Sequence, residues 1–97
     1  MNRLLEIAIF SFNRGENLRV CVESIKRNAP DVKYTVYDDR SDDPATLQYL
    51  EEISDRVIIT PPPKNERHGG LYENMNLALA QANHPFLMTL QDDMQLV

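Results

Sequence analysis

The sequence has 97 residues, of which 42% are hydrophobic and 26% are charged, and these proportions predict one small globular domain. Its formal net charge of -5 argues against a nucleic-acid partner, because binding a phosphate backbone requires a dense basic stripe. The single cysteine excludes an internal disulfide, and no run approaches the roughly 20 apolar residues of a membrane span. We therefore predict a cytoplasmic protein, either free or held at a membrane as part of a larger parent protein.

The first predicted strand covers residues 4–12, which are densely apolar and aromatic. Asn13 is predicted to cap the helix that follows, with Glu16 reaching back toward it. The apolar face of this helix repeats at i, i+3, i+4 and i+7 and consists of Leu18, Cys21, Val22 and Ile25. Cys21 is therefore expected to be an inert part of the core. The helix is predicted to end at residues 28–30.

The second predicted strand, residues 33–37, runs into the polar residues 38–41. Asp43 followed by Pro44 predicts the start of a second helix, because aspartate is a good cap and proline fits the first turn. The apolar side of this helix is predicted to consist of Leu47, Leu50 and Ile53.

A third, β-branched strand is predicted at residues 56–60 and ends at the prolines 61–63, which cannot donate to a strand ladder. The loop continues over residues 64–70, where His68 is interpreted as a plain loop residue. A third helix follows, with an apolar face of Leu71, Met75, Ala78 and Ala82. The fourth predicted strand covers residues 85–90.

This alternation, β-α-β-α-β-α-β, predicts an α/β fold: a three-layer, Rossmann-like arrangement with a parallel sheet, right-handed crossovers and helices on both faces. Each strand is apolar throughout, so we expect every strand to be buried on both faces. In open sheets of this kind, ligands bind beyond the carboxyl ends of the strands. The polar groups that follow the strands are Ser11, Asn13, Asp38, Asp39, Ser41, residues 64–70, Asp92 and Asp93. We therefore expect a binding site at the carboxyl edge of the sheet.

Two acidic pairs among these groups each allow two interpretations. The adjacent carboxylates of Asp92 and Asp93 would repel each other and raise their pKa values unless a partner compensates. A divalent cation that also binds a substrate diphosphate would compensate, whereas the alternative is a turn or a helix cap. Asp39, with Asp38 and Ser41, could accept from an imide N–H such as that of uracil, or could form a turn held by aspartate and serine.

The alternating residues Phe10 and Phe12 also allow two interpretations, a face on which a base stacks or packing in the core. Other kinds of nucleotide site lack their motifs, since no Gly-x-Gly-x-x-Gly and no Gly-Lys-Ser/Thr follows the first strand. No Cys/His spacing indicates zinc.

Four segments, residues 9–14, 36–41, 74–80 and 90–93, together resemble the N-terminal half of family-2 glycosyltransferases with the GT-A fold. In order they read Ile-Phe-Ser-Phe-Asn-Arg, Val-Tyr-Asp-Asp-Arg-Ser, Asn-Met-Asn-Leu-Ala-Leu-Ala and Leu-Gln-Asp-Asp. The resemblance implies a strand order of 3-2-1-4, and it makes residues 1–97 the nucleotide-sugar-binding half, with the acceptor half absent. The implied donor is a nucleotide-diphosphate sugar, and a UDP-sugar is the specific prediction.

The resemblance also implies how the nucleotide is held. Phe12 matches the aromatic position that lines the base, and Phe10 is the position beside it, where the family usually has proline. Asp39 matches the aspartate that binds the uracil imide, in a motif that Asp38 and Ser41 complete.

Further implied contacts come from the second half of the chain. Asn76 matches the asparagine of the family's Ala-Arg-Asn stretch, although Met75 stands where an arginine often contacts the nucleotide. In the Asp-x-Asp-like motif, Asp93 is the predicted ligand of Mn²⁺ or Mg²⁺, and Asp92 is predicted to face the ribose. Gln91 replaces the first aspartate of that motif.

Only residues 94–97 follow this motif, and none of them is a carboxylate that could take the proton of an acceptor hydroxyl. We therefore predict no catalytic residue in this chain, and nucleotide binding without efficient transfer. Residues 86–90 would leave an exposed apolar edge, which predicts a homo-oligomer. The alternative function is a non-catalytic small α/β module for protein interaction. A nucleotidyltransferase usually has a Gly-rich signature after the first strand, and residues 13–15 are too poor in glycine to provide it.

Overall fold

The computed structural model describes residues 4–59 and 71–96, and for residues 71–73 it describes the backbone only. In chain order the elements are β1 (Leu5–Ser11), α1 (Gly15–Asn28), β2 (Lys33–Asp38), α2 (Pro44–Glu52), a 3₁₀ turn (Ser54–Arg56), β3 (Val57–Ile59), α3 (Leu71–Gln81) and β4 (Phe86–Gln91). The predicted loop of residues 64–70, which contains His68, lies outside the described residues. Within the described ranges, no helix has the length and apolar character needed to cross a membrane.

The strands form one sheet in the order β3-β2-β1-β4, and every pairing is parallel. Both the predicted fold class and the implied strand order are therefore confirmed. In the central pairing Ser11 lies opposite Asp38, and on the other side of β1 Phe10 lies opposite Gln91. The carboxyl ends of β1, β2 and β4 therefore lie side by side at one edge.

Helices cover both faces of the sheet. On one face, α1 and α2 bury a cluster that includes Ile7, Ile9, Leu18, Val22, Ile25, Val36 and Leu50. On the other face, α3 closes a smaller cluster of Ala8, Phe10, Tyr37 and Ala78. Each fully buried aliphatic side chain contributes about 1.5–3 kcal/mol, so the larger cluster contributes most of the hydrophobic stabilisation.

The predicted inward face of α1 is confirmed, since Leu18, Cys21, Val22 and Ile25 are all buried. Burial raises the pKa of the Cys21 thiol to about 11. The thiol is therefore protonated at neutral pH, which agrees with an inert core residue.

The expectation that every strand is buried on both faces is wrong. β3 and β4 are the outer strands, and Ile59 and Phe86 are 61% and 63% exposed. An apolar strand at the rim of a small sheet has only one neighbouring strand, and so its side chains remain partly open to solvent. The pattern of apolar residues indicates a strand but not its position in the sheet.

Two predicted helix faces need correction. Leu47 is exposed, and the buried positions of α2 are Thr46, Tyr49 and Leu50, followed by Ile53 after the helix. Met75 is exposed on α3, where Asn74 and Ala78 are the buried residues among the side chains described, from residue 74 onward. In each helix a polar residue takes a buried position that an apolar neighbour was predicted to hold.

Asn13 does not cap α1. Its backbone has φ = 52°, and its side-chain oxygen accepts from the backbone N–H groups of Asp42 and Asp43 at 2.9 and 3.0 Å. Arg14 is the cap residue instead, without a side-chain cap hydrogen bond. The predicted start of α2 is confirmed, because Asp43 accepts from Thr46 N at 3.0 Å.

The starts of α1 and α2 approach each other closely. Gly15 N donates to Thr46 Oγ1 at 2.9 Å, and a Cβ at position 15 would lie 2.8 Å from Thr46 Cα. No side chain fits in that space without backbone movement. The loops after β1 and β2 are therefore held against each other at the carboxyl edge.

Candidate functional site

A cleft of about 180 Å³ opens at the carboxyl ends of β1 and β4. It is lined by Phe10, Ser11, Phe12, Arg14, Asp39, Asn74, Gln91 and Asp92. The lining includes four of the predicted site residues, namely Phe10, Phe12, Asp39 and Asp92. The structure thus brings residues from three strand ends and from α3 into one cavity.

Asp92 ties the loop after β4 to the end of β1. Its carboxylate accepts from Phe12 N at 3.1 Å, and Arg14 Nη1 lies 3.7 Å from its other oxygen. Burial raises the pKa of Asp92, whereas the Phe12 N–H and Arg14 lower it and Asp93 raises it further. The predicted rise in pKa is present, but desolvation contributes more to it than repulsion between the two acids.

Asp93 extends the acidic edge toward solvent. Its side chain is half-exposed and lies 3.5 Å from Arg14 Nη1, so one guanidinium contacts both carboxylates. Arg14 was not predicted as a site residue. It immediately follows the polar end of the first strand, and applying the strand-end rule one residue further would have included it.

Asp38 and Ser41 form the turn that was considered as the alternative interpretation. Asp38 is fully buried and accepts from both Ser41 N and Ser41 Oγ at 2.7 Å. Ser41 Oγ in turn accepts from Asn13 N at 2.9 Å. These two side chains shape the loop after β2 and do not line the cleft.

The same turn directs Asp39 into the cleft. Asp39 N donates to Ser11 O at 2.9 Å, which continues the pairing of β1 and β2 beyond the strands. The Asp39 carboxylate is partly exposed and lines the cavity, with Arg40 Nη2 3.8 Å from one oxygen. A carboxylate in this position can accept a hydrogen bond from a ligand.

Two other polar side chains of the cleft are buried. Ser11 is 3% exposed and Asn74 is 1% exposed. Among the described residues, neither Ser11 Oγ nor Asn74 Oδ1 has a hydrogen-bond partner. Asn74 was not predicted as a site residue, although it precedes the predicted core residue Ala78 by one helical turn.

The two phenylalanines have different environments. Phe10 is 7% exposed and packs on Tyr37, with ring centroids 6.0 Å apart, whereas Phe12 is 51% exposed at the cleft. Core packing therefore accounts for Phe10, and Phe12 keeps a free aromatic surface. Asn76 is an exposed residue of α3 and is not part of the cleft lining.

The described parts of the chain contain no group of three or more His, Cys, Asp or Glu residues that could hold a metal ion. A larger cavity of about 640 Å³ lies at the opposite edge, near the start of β2 and β3, and includes Lys33, Tyr34 and Arg56. Arg56 stacks on Tyr34 there at 4.6 Å. That cavity contains none of the predicted site residues.

Residues 6–96 match the family described as Glycosyl transferase family 2. The crystal structure of S. aureus TarS 1-349 has a TM-score of 0.71 and 20% identity, covering 95% of this chain and 28% of that chain. A crystal structure of S. aureus TarS has a TM-score of 0.70 and 22% identity, and the match covers 93% of this chain and 16% of that chain. No curated protein matches the sequence. The chain thus spans less than a third of either structure, and the likeness shows the fold.

Proposed function

Because this chain belongs to glycosyl transferase family 2, we propose that it binds the nucleotide-sugar donor of a glycosyltransferase in the cleft at the carboxyl edge of its sheet. One observation carries this proposal: Asp39 and Asp92, which follow strands on opposite sides of β1, line the same cleft. Open α/β sheets bind ligands at this edge. If the two acids lay at different edges of the sheet, one ligand could not contact both.

The proposed donor is a UDP-sugar. The half-exposed ring of Phe12 offers a stacking surface for the base, and the Asp39 carboxylate can accept from the imide N–H of uracil. Arg14 offsets part of the negative charge that a diphosphate would otherwise meet in this acidic protein. Asp38 and Ser41 act by holding the turn that presents Asp39.

The acidic pair after β4 fits a hard divalent cation, Mn²⁺ or Mg²⁺. Such a cation takes one or two protein carboxylates and completes its coordination with substrate phosphates and water, so three protein ligands are not needed. Asp93 is half-exposed and can provide an oxygen ligand, while the buried Asp92 is already held by Phe12 N. When bound, the cation would neutralise charge on the donor diphosphate.

We further propose that the 97-residue chain, assayed alone, binds donor without efficient transfer. General-base catalysis needs a carboxylate or similar group beside the acceptor hydroxyl, and none follows Asp93 in this sequence. Adding an excess of donor and acceptor and measuring released UDP tests this directly, and turnover comparable with typical enzymes contradicts it.

The test of donor binding is a titration with UDP followed by NMR, with and without Mg²⁺. Backbone signals of Ser11, Phe12 and Asp39 should shift, and Mg²⁺ should strengthen binding through Asp93. Mn²⁺ should broaden signals near residues 92–93 first. No response at millimolar UDP in the presence of either metal contradicts the proposal.

A second titration tests the base contact. Asp39→Ala should weaken the binding of UDP more than the binding of GDP. N3-methyl-UDP lacks the imide N–H and should bind wild type and Asp39→Ala with equal affinity. Asp55→Ala removes an exposed acid at the other edge of the sheet and should change neither affinity. Equal losses for UDP and GDP would show that Asp39 does not contact the base.

Protein association is a second candidate role, favoured by the outer strand β4. Phe86 and Met88 are exposed on it, and the strand carries no charge that would oppose pairing with a second copy. Sedimentation velocity should show a concentration-dependent dimer that Phe86→Lys weakens. A wild-type monomer at high concentration contradicts this association.

A further inference from the structure

The floor of the cleft contains two polar groups whose hydrogen-bonding capacity the described residues do not use. Ser11 Oγ lies at the end of β1, and Asn74 Oδ1 projects from α3. Both side chains are more than nine-tenths buried. An unpaired polar atom in such a position destabilises the fold, and this cost suggests that the atom is kept for a ligand.

Asn74 occupies a position where packing alone would favour an apolar residue. One helical turn further along α3, Ala78 packs against Ala8 and Phe10 on the sheet. Alanine would fit α3 better than asparagine, which has a lower helix propensity. The carboxamide is therefore explained neither by helix formation nor by packing.

Ser11 and Asn74 differ from another buried residue with an unpaired polar atom, Tyr49, in where they lie. Tyr49 OH is also buried without a partner among the described residues, but it lies on α2, away from the cleft, under the guanidinium of Arg19. Ser11 and Asn74 line the same cavity as Asp39 and Phe12. Unlike Tyr49 OH, Ser11 Oγ and Asn74 Oδ1 are therefore placed where a ligand in the cleft can reach them.

The size of the cavity indicates which part of a nucleotide enters. Its volume of about 180 Å³ is below the roughly 300–1,000 Å³ of complete small-molecule sites, so the cleft accepts one component of the ligand. A flat base suits an aromatic surface at Phe12 together with side-chain acceptors at Asp39 and Asn74. A diphosphate would instead need donors and cations, which lie at the Arg14 side.

We propose that Asn74, supported by Ser11, is a specificity-determining residue that hydrogen-bonds the base of the donor nucleotide beside the edge bound by Asp39. This inference rests on the proposed function and adds a residue to it. The carboxamide can both donate and accept, so it reads a polar edge that a carboxylate alone cannot. Asn76, two residues away, is exposed and does not line the cleft.

The test compares Asn74→Ala with Gln48→Ala, which removes a carboxamide from the exposed side of α2, away from the cleft. Calorimetry with UDP and Mg²⁺ should show binding weakened about five- to tenfold for Asn74→Ala, and less than twofold for Gln48→Ala. Affinity for inorganic diphosphate with Mg²⁺ should not change in any variant. Without ligand, Asn74→Ala should melt at a temperature equal to or higher than wild type, because an unpaired buried group has been removed.

The outcomes separate the two proposals. If wild type binds neither UDP nor diphosphate, the proposed function and this inference both fail. If wild type binds UDP and Asn74→Ala binds it equally well, the inference alone fails. A lower melting temperature for Asn74→Ala with unchanged UDP affinity indicates that Asn74 is a structural residue. A loss of diphosphate affinity equal to the loss of UDP affinity indicates that Asn74 contacts the phosphates. Either result overturns the assignment to the base.

Discussion

The two edges of the sheet use their buried polar groups differently. At the amino edge, the buried Glu6 carboxylate accepts from Asn83 N at 3.0 Å and lies 2.8 Å from His84 Nδ1 and 4.0 Å from Lys33 Nζ. At the carboxyl edge the buried Asp38 and Ser41 are also paired, but Ser11 Oγ and Asn74 Oδ1 have no hydrogen-bond partner among the described residues. Burial of a polar group therefore does not indicate a binding site by itself. The informative property is hydrogen-bonding capacity that the fold leaves unused.

The largest expected effect comes from comparing two phenylalanines at the end of β1, one packed in the core and one exposed at the cleft. Phe10→Ala should lower the free energy of unfolding by about 3–5 kcal/mol, because Phe10 packs in the core. Phe12→Ala should change the free energy of unfolding by no more than about 0.5 kcal/mol, but it should weaken the binding of UDP by about 1–3 kcal/mol. Urea denaturation and calorimetry measure the two quantities. Equal stability losses would show that Phe12 is also structural.

The next effect concerns the amino edge. Glu6→Ala should cost about 2–4 kcal/mol of unfolding free energy, because Asn83 N and His84 lose a buried acceptor. Glu6→Gln keeps an acceptor oxygen and should recover part of the loss. Neither change should alter the affinity of the folded protein for UDP. A loss of UDP affinity in Glu6→Gln would mean that the two edges are coupled.

Two serines at the carboxyl edge provide a smaller and closely matched comparison. Ser41→Ala should destabilise by about 1–3 kcal/mol, because Asp38 loses a donor and Asn13 N loses its acceptor. Ser11→Ala removes a hydroxyl without a partner in the described structure and should not destabilise. Thermal melts of both variants in ligand-free buffer measure the difference. A similar loss for both serines would remove the distinction between used and unused groups.

The smallest effect is the pH dependence that Asp92 confers. Burial raises its pKa above the ordinary 3.8, so the folded state binds this proton more tightly than the unfolded state. The resulting stabilisation is present at low pH and is lost as the pH rises through the raised pKa. In metal-free buffer, Asp92→Asn should therefore gain stability relative to wild type between about pH 3 and pH 7. Asp55→Asn, an exposed acid, should follow wild type, and parallel curves for all three proteins would contradict this.

Much of the fold follows from local patterns. Apolar strands alternating with helical periodicities predicted the parallel sheet, and Asp43 before Pro44 predicted the start of α2. The polar strand ends predicted that side chains from different strands would meet at the carboxyl edge, and Phe12, Asp39 and Asp92 do line one cleft there. These signals depend on neighbours in sequence, and so they can be read without coordinates.

The misses involve contacts between distant residues. Asn13 looked like a helix cap, but its side chain bonds the loop at residues 42–43, and the backbone adopts φ = 52° to allow it. Asn74 was not predicted as a site residue, because only the packing of α3 places it in the cleft. The exposure of β3 and β4 likewise depends on strand order.

Because Arg14 lies beside both acids, the carboxyl edge can fold before any metal ion binds there. Its guanidinium already contacts both Asp92 and Asp93, so the fold carries its own counter-ion at the place where two acids meet. Folding should then need no added cation, and chelators such as EDTA should leave the melting temperature unchanged, unlike proteins whose metal is a structural element. A cation that arrives later must compete with an arginine that is already in place.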